Sequence, residues 1–311
     1  MKVLVTGASG CIGRRLVPFL RGRGHDVVRG VRRVQGPADA HVDVDDERTL
    51  RPALAGVDVA VYLIHGLARG AGYPAWEAHG ATAFAEACRA QGVGRIVYLG
   101  GVLPTGTASV HLRARAATGE ALCSTGVPVV ELRAGMIVAA DSASFVLARD
   151  LAARVPVAVR PPWQRARQRP IGVDDVLWAI VASFTAPAGI YACPGPDVVG
   201  GDEVLAILAR LLGRHLSVRD VSWLDHRLVA RVLPHLTDAP ADVVAELVVG
   251  MTADLLGGNE PDIFDHLPGH RREPFVVAAR RALQERSSTT PSSTQAQLWE
   301  RALRRLVGAP R

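Results

Sequence analysis

Short apolar runs alternate with amphipathic stretches along the first part of the chain. The runs at residues 2–6, 57–65 and 95–101 are almost continuously apolar, which is typical of strands that are buried on both faces of a sheet. The stretches at 11–24 and 76–92 carry apolar side chains three or four residues apart, as one face of a helix does. Strands separated by helices of this length pair in parallel. The pattern therefore predicts an α/β fold with a doubly wound parallel sheet.

The alternation becomes less regular after about residue 140. An apolar run at 128–138 predicts one strand, the arginine-rich segment 160–172 predicts an extended chain, and residues 202–283 predict mostly helices. A stretch rich in Ser and Thr follows, which is typical of a linker. We predict three parts: a sheet domain at 1–140, a smaller, mainly helical region at 141–285 that is interleaved with the sheet around 170–195, and a linker with a terminal helix at 286–311.

Three glycines lie between the first strand and the first helix, in the sequence VTGASGCIG. Glycine at these positions permits a tight turn, lets a pyrophosphate approach the backbone, and lets the helix pack closely on the strand. The amide groups at the start of the helix then face the phosphates. This context predicts a dinucleotide site in a Rossmann-type domain. The residues predicted to contact the dinucleotide here are Gly7, Ser9, Gly10, Cys11, Ile12 and Gly13.

The end of the second strand favours NADP over NAD. NAD sites usually carry an acidic residue there, which binds the ribose hydroxyls, whereas this chain has Arg32 and Arg33. Guanidinium groups suit a 2′-phosphate because they bind phosphate oxygens through paired hydrogen bonds. We therefore predict NADPH or NADP as the cofactor. The residues after later strands that are predicted to line it are Asp43, Val44, Leu63, Ile64 and Gly100.

These motifs resemble the atypical short-chain dehydrogenases/reductases of the NmrA-like, epimerase-related NAD(P)-binding group. The resemblance rests on VTGASGCIG, VRGVRR, GVGRIVYLGG and GVPVVELRAGMIV, and it fades beyond about residue 200. It implies a Rossmann domain with a small C-terminal region that binds the substrate. The group contains reductases, enzymes without redox chemistry and non-catalytic NADP-sensing regulators, so the resemblance leaves all three functions open.

The resemblance also implies a Tyr-x-x-x-Lys pair on the helix after the fifth strand, with the tyrosine as proton donor. This chain has His111 and Arg115 at the matching positions and glycine at the end of the fifth strand, where the group usually has serine. Lys2, in the first strand, is the only lysine of the chain, so no other alignment restores the pair. The predicted catalytic residues are therefore His111 and Arg115.

Three sources for the proton of a carbonyl reduction follow from these residues. His111 can donate it, since histidine titrates near neutral pH, and His65 at the end of the fourth strand is a second candidate. Alternatively, water or an enol of the substrate supplies the proton while the protein only positions the carbonyl. Arg115 cannot give up a proton, but it can hold the cofactor ribose or a substrate oxygen.

Ligands of doubly wound folds bind beyond the carboxyl ends of the strands. The helical region after residue 140 is therefore predicted to cover the substrate, and its apolar residues indicate a bulky, apolar one. Alternate residues of an extended segment face the same way, which would place Arg165, Arg167 and Arg169 on one face, opposite an acidic or phenolic group. The apolar candidates for this pocket are Leu103, Met136, Phe145, Trp163, Trp223 and Met251.

The composition argues against several other classes of protein. The chain has 311 residues, of which 49% are hydrophobic and 21% charged, as in a folded globule. The net charge is +6, but the arginines are scattered and no nucleic-acid motif accompanies them. The four cysteines lack metal-ligand spacing, and we find neither a signal-peptide pattern nor an apolar run of membrane length. We predict a cytoplasmic monomer or homodimer that binds no metal, nucleic acid or membrane.

Together, these observations predict an NADPH-dependent reductase that transfers a hydride to a carbonyl of a bulky ketone or quinone, of aromatic or polyketide type. The alternatives are a non-catalytic NADP-binding sensor, which the missing Tyr-Lys pair favours, and a non-redox enzyme on the same scaffold. An apolar substrate pocket would favour the reductase, because a sensor does not need one.

Overall fold

The computed structural model describes residues 1–285, apart from residues 71, 105, 107, 156, 224, 240 and 251. The strands within these residues are β1 (Lys2–Thr6), β2 (Asp26–Val31), β3 (Asp39–His41), β4 (Val59–Tyr62), β5 (Arg95–Gly101), β6 (Val129–Ala134), β7 (Ile137–Val138), β8 (Val157–Arg160), β9 (Arg167–Gln168), β10 (Ile171–Gly172), β11 (Gly189–Ala192), β12 (Val199–Gly200) and β13 (Ser217–Asp220). The α-helices are α1 (Gly13–Arg21), α2 (Leu50–Ala53), α3 (Tyr73–Ala90), α4 (Val110–Cys123), α5 (Ala143–Arg154), α6 (Val173–Ala182), α7 (Gly201–Leu211), α8 (His226–Val232), α9 (Ala241–Gly250) and α10 (Phe275–Gln284).

Seven of the strands form a parallel sheet in the order β11-β6-β5-β4-β1-β2-β3. One face packs against α1 and α6, with Leu16 and Ile180 in the core between them. The opposite face packs against α2, α3 and α4, where Phe84 and Leu122 are fully buried. Because both faces are covered, the strands are apolar almost throughout. The predicted doubly wound parallel α/β fold is confirmed.

The chain leaves the sheet at Gly135 and Met136. The prediction of one strand over 128–138 is wrong, because β6 ends at Ala134 and the two residues of β7 pair instead with β10. The prediction of an extended segment over 160–172 is also wrong in part, since Pro162–Arg165 form a 3₁₀ helix. These breaks lead the chain into a second layer before β11 returns to the edge of the sheet.

The helices after residue 140 enclose a second apolar core. α5, α7 and α10 contribute Phe145, Leu208 and Phe275, all nearly inaccessible to solvent. The stretch 202–283 is less helical than the sequence predicts, because β13 and the segment between α9 and α10 interrupt it. Within the described ranges, no helix is long and apolar enough to cross a membrane. The predicted linker and terminal helix at 286–311 lie outside the described residues.

Buried ionic groups hold α5 against the connection between α8 and α9. Asp150 is fully buried and accepts hydrogen bonds from the Arg149 Nε at 2.8 Å, the Thr237 hydroxyl at 3.1 Å and the Asp238 amide at 2.8 Å. Arg154, also buried, pairs with Asp238 at 2.9 Å. Since each charge lies away from water, removing one partner leaves the others uncompensated.

We expect Asp150→Asn to lower the free energy of unfolding by about 3–5 kcal/mol, because it leaves buried guanidinium groups without a countercharge. The measurement is urea denaturation followed by circular dichroism. Asp220→Asn is the matched control, since Asp220 forms its ion pairs with Arg160 and Arg165 at the surface, and it should change little. Equal stability of the two variants would contradict the proposed role of the cluster.

Candidate active site

The turn between β1 and α1 has the geometry of a phosphate-binding loop. Gly7 adopts a left-handed backbone conformation with φ of 61°, which favours glycine. Its carbonyl accepts a hydrogen bond from the Gly10 amide at 2.9 Å. A Cβ atom on Gly13 would lie only 2.3 Å from the Gly7 carbonyl oxygen, so no side chain fits there. The loop therefore presents bare backbone and the first amides of a helix, as a pyrophosphate requires.

Thr6 fixes this loop to the neighbouring strand. Its buried hydroxyl donates to the Val61 carbonyl at 3.2 Å and accepts from the Leu63 amide at 3.0 Å. The Ala8 amide donates to the Gly30 carbonyl at 3.3 Å, which ties the loop to β2 on the other side. Thr6 is not among the predicted site residues, although its position directly before Gly7 could have indicated a role in holding the loop.

Cys11 lies at the predicted position, but its thiol is committed to the protein. The Sγ atom donates to the Asp141 carboxylate at 3.4 Å, and burial together with Asp141 raises the pKa of Cys11 to about 12. Arg15 pairs with the same carboxylate at 2.7 Å and with Glu285 at 2.8 Å. The Cys11 thiol is therefore held in its neutral form by its surroundings.

The arginines after β2 have different environments. Arg29 pairs with the buried Asp39 carboxylate at 2.9 Å, so it stabilises the edge of the sheet. Arg32 and Arg33 are exposed, and neither forms an ion pair with another described residue. They are the two arginines at this strand end that can meet a 2′-phosphate.

The residues after β3 and β4 are placed mostly by packing. Val44 is buried and lies against Gly80 of α3, where a Cβ atom would come within 2.9 Å of it. The Asp43 carboxylate accepts the Asp45 amide at 3.1 Å. Ile64 packs on the core between the sheet and α3. The Val44 side chain is therefore used in packing, whereas Ile64 stays partly exposed.

A cluster of polar and aromatic side chains that the sequence does not predict lies close to the residues after β3. Asp45 accepts hydrogen bonds from Arg69 at 2.7 Å and from the Trp76 indole, and the Arg69 guanidinium stacks 3.9 Å from the centre of the Trp76 ring. No spacing along the chain links these residues, because they come from three different loops and helices.

Arg115 lies beneath the end of β5. Its guanidinium donates to the Leu99 carbonyl and lies 5.0 Å from the centre of the Tyr98 ring. The Tyr98 hydroxyl in turn donates to the Arg115 carbonyl at 2.9 Å. A Cβ atom on Gly101 would lie 3.8 Å from the Arg115 side chain. The arginine thus lies next to the carboxyl edge of the sheet, where a nicotinamide ribose is expected.

His111 is half-buried on the first turn of α4. Its Nδ1 atom is buried and has no hydrogen-bond partner among the described residues, and its main-chain amide donates to the Glu246 carboxylate of α9 at 3.2 Å. Burial, Arg115 and His65 lower the pKa of His111 to about 4. At pH 7 only about one molecule in a thousand would then carry the imidazolium form.

His65 belongs to the same group of side chains. Enclosure by protein and then the Arg115 charge lower its pKa, although part of the residue remains exposed. The structure therefore brings His65, His111 and Arg115 together, and it places both histidines in an environment that favours the neutral ring. This environment argues against imidazolium as the acid at neutral pH.

Gly100, which is predicted to line the cofactor, lies in β5 against buried side chains. A Cβ atom there would point towards Glu131 at 3.1 Å and Tyr98 at 3.2 Å. Gly100 is therefore needed for the packing of the buried Glu131, and only its backbone is available to a cofactor. Within the described ranges, no group of three or more His, Cys, Asp or Glu side chains is arranged to hold a metal ion.

An apolar cavity of about 450 Å³ lies within the helical region, and Met136, two residues beyond the end of β6, also lines it. Gln168 and Trp163 contribute to the lining as well. The aliphatic side chains that form most of its wall come from the helices, and include Leu147, Leu151, Leu205, Val229, Leu233 and Val248. The size and lining are those of a pocket for a small apolar ligand.

The pocket candidates from the sequence divide into two groups. Met136 and Trp163 line the cavity, whereas Leu103 does not, and Phe145 is fully buried in the core behind it. Trp223 is 77% exposed. Met251 lies outside the described residues. Burial and exposure of this kind depend on helix packing, which the sequence pattern after residue 140 did not reveal.

The expectation that three arginines share one face is wrong. Arg165 pairs with Asp220 at 3.1 Å and Arg167 with Asp254 at 3.2 Å, both near the surface. Arg169 instead donates from its Nε to the Gly195 carbonyl at 3.1 Å and lines a different, smaller pocket from Arg167. The 3₁₀ helix at Pro162–Arg165 takes Arg165 out of the extended segment, and Arg167 and Arg169 contact different partners.

Comparison with known proteins supplies two kinds of relative. The model of the NAD dependent epimerase/dehydratase family matches residues 3–118. A 2-alkyl-3-oxoalkanoate reductase of Stenotrophomonas maltophilia is 33% identical over 236 residues, which are 63% of this chain and 68% of the relative.

Solved structures share the fold at low sequence identity. A triphenylmethane reductase of Citrobacter sp., solved with NADP(H), superposes with a TM-score of 0.72 at 18% identity, over 91% of this chain and 100% of that one. A nucleoside-diphosphate-sugar epimerase of Staphylococcus aureus gives a TM-score of 0.70 at 16% identity, over 90% of this chain and 100% of that one.

We expect the His111 ring to be neutral at pH 7 and to titrate near pH 4, because burial and Arg115 disfavour its charged form. The measurement is a pH titration of histidine ring signals by NMR, with His111→Gln to assign the signal. A midpoint close to about 6.5, the ordinary value for histidine, would contradict this environment.

The pH dependence of protein stability gives an independent check on the lowered pKa of His111. The unfolded chain takes up the proton at the ordinary histidine pKa, so the folded state loses stability as the pH falls from about 6.5 towards the folded pKa. His111→Gln should therefore make the melting temperature depend less on pH in that range.

Proposed function

Because the chain belongs to the NAD-dependent epimerase/dehydratase family, we propose that it is an NADPH-dependent reductase acting on a carbonyl of a bulky, apolar ketone or quinone. The family assignment makes it an oxidoreductase or epimerase type of protein. The choice among those activities rests on the pocket and on the residues around it. An aromatic or polyketide type of substrate stays a prediction.

The loop and the two free arginines support NADPH as the cofactor. The bare backbone at Gly7 and Gly13 fits a pyrophosphate, and Arg32 with Arg33 fits a 2′-phosphate. The triphenylmethane reductase of similar fold was solved with NADP(H), which agrees with this choice. When bound, NADPH supplies the hydride for the reduction.

The apolar cavity is the observation that carries the proposal. A sensor of NADP has no need of a further cavity of about 450 Å³, and the mostly aliphatic lining suits an apolar ligand better than a nucleotide sugar. The Stenotrophomonas relative is named as a reductase of an oxo compound with alkyl chains, which is compatible with an aliphatic wall. A bulky ketone is therefore favoured over both alternatives.

The residues near the reacting carbonyl act by positioning it. Arg115 is held by Leu99 and Tyr98 and can bind the ribose or a substrate oxygen. A neutral His111 can donate a hydrogen bond to the carbonyl oxygen, as a neutral imidazole does in other enzymes. The proton itself then comes from water or from an enol of the substrate. Positioning of the reactants supplies a large part of the barrier reduction in such a site.

We expect the double variant Arg32→Gln/Arg33→Gln to bind NADPH at least about 100-fold more weakly, since each lost charge-assisted hydrogen bond contributes about 1.5–3 kcal/mol. NADH lacks the 2′-phosphate, so its affinity should stay unchanged. Fluorescence titration with both dinucleotides measures this. Arg89→Gln, at an exposed position of α3, is the control, and an equal loss for both dinucleotides would contradict phosphate recognition.

Filling the cavity should stop turnover without affecting the cofactor. Ala148→Phe and Val229→Trp place bulk in the cavity wall, and we expect each to reduce NADPH oxidation by alkyl and aromatic ketones or quinones more than tenfold, with NADPH binding retained. Ala90→Phe, at an exposed site on α3, should be neutral.

The same panel separates the proposed function from its alternatives. Tight NADPH binding with no oxidation by any carbonyl compound would favour the sensor. Failure to bind either dinucleotide would overturn both the reductase and the sensor.

A further inference from the structure

Asp45, Arg69 and Trp76 form a flat, positively charged surface. The Arg69 guanidinium lies 3.9 Å from the centre of the Trp76 ring, so the indole covers one of its two faces. Its Nη2 group donates to the Asp45 carboxylate at 2.7 Å, and such a hydrogen bond lies in the guanidinium plane. The Arg69 side chain is still 39% exposed. Its second face is therefore open to a ligand.

Asp45 orders both partners of this stack. Its carboxylate accepts hydrogen bonds from Arg69 and from the Trp76 indole. Trp76 also packs against Gly66, where a Cβ atom would lie only 2.7 Å from the ring. Because these contacts hold the indole and the guanidinium in place, a ligand that stacks on Arg69 need not order it first, which lowers the entropic cost of binding.

The surface lies across the end of the sheet that holds the phosphate-binding loop. Asp45 follows β3, whereas Arg69 and Trp76 follow β4. In the sheet order, β2 and β1 separate these two strands, a span of roughly 14 Å at the usual spacing. The connections after β3 and β4 therefore meet across the carboxyl ends of β1 and β2. Those ends carry the loop at Gly7 and the arginines proposed for the 2′-phosphate.

Arg32 connects this surface to the adenosine half of the dinucleotide. Hydrogen bonds from Trp76 and Arg69, together with the nearby charge of Arg32, lower the pKa of the Asp45 carboxyl, so Arg32 lies close to the cluster. The 2′-phosphate proposed to meet Arg32 is attached to the same ribose as the adenine. The base thus lies within one sugar ring of Arg32, which brings it to the open face of Arg69.

The chemistry of the open face suits a purine. A planar guanidinium stacks on the face of a π system and is attracted to it by its charge. The carbonyl substrate is excluded from this place by the fold, because the apolar cavity lies within the helical region beyond β6, three strands away from β1.

We propose that the adenine ring of the dinucleotide stacks on the open face of Arg69, in the order Trp76, Arg69, adenine. The inference rests on the NADPH site of the proposed function and is independent of the carbonyl compound that is reduced. Stacking does not involve the 2′-phosphate. Arg69 therefore contributes equally to binding of NADPH and NADH, whereas Arg32 and Arg33 distinguish the two.

The test is a fluorescence titration of the full chain with NADPH and with NADH. We expect Arg69→Gln to weaken binding of both about 3- to 30-fold, as for loss of one cation–π contact. Arg69→Lys keeps the charge but has no planar group, so it should recover little of either affinity. The melting temperature of both variants should match that of the parent, since Arg69 is exposed.

Arg48→Gln is the matched control. Like Arg69, Arg48 pairs with a carboxylate that follows β3, in this case Asp46 at 2.8 Å, but its side chain is 90% exposed. No ring therefore covers its guanidinium, and the variant should bind NADPH and NADH like the parent.

The stacking surface is overturned if Arg69→Gln binds both dinucleotides like the parent. It is also overturned if the loss is confined to NADPH and Arg69→Lys recovers it, because Arg69 would then be a phosphate contact. The reductase fails separately: an equal loss of both affinities in the Arg69 variants, with no oxidation of NADPH by ketones or quinones, would retain the surface and reject the reductase. Turnover with an NADPH affinity that does not depend on Arg69 would do the opposite.

Discussion

The close approach of α1 to the end of β1 is the contact on which the cofactor site depends. Gly7 and Gly13 meet at a distance that leaves no room for a Cβ atom, so the helix begins directly above the strand. This places the first amides of α1 at the carboxyl edge of the sheet. Hydrogen bonds of Thr6 to the segment Val61–Leu63 and of Ala8 to Gly30 hold the loop from both sides. The loop is therefore fixed relative to the ends of β2 and β4.

The electrostatic environment at the opposite end of the site changes the chemistry that the residue types suggest. Histidine is an ordinary proton donor near neutral pH, and the positions of His111 and Arg115 match those of a Tyr-Lys pair. Burial of both histidine rings lowers their pKa, however, and the charge of the nearby Arg115 lowers it further. Arg115 thus disfavours the imidazolium form of its neighbours.

The end of β6 lies between two pockets of different chemical character. Adjacent residues face the apolar cavity and the charged small pocket in turn, because the chain turns away from the sheet at Gly135. Helices that enclose the cavity are held by the buried cluster around Asp150, so the shape of the apolar cavity and the stability of the helical region are linked.

The sequence by itself determined the sheet, its parallel strands and the loop at Gly7 to Gly13, because strand periodicity and glycine spacing are local signals. It also identified His111, Arg115 and the arginines after β2 as the groups to examine. Only the tertiary structure decided what these groups can do. The pKa of His111 depends on burial, Arg115 and His65, and the environment of the Cys11 thiol depends on Asp141. Arg165 is taken out of the extended segment by a 3₁₀ helix, and Arg167 and Arg169 contact different partners. Each of these depends on residues that are distant in the chain or on a local break in the strand pattern, and no periodicity in a single sequence records such contacts.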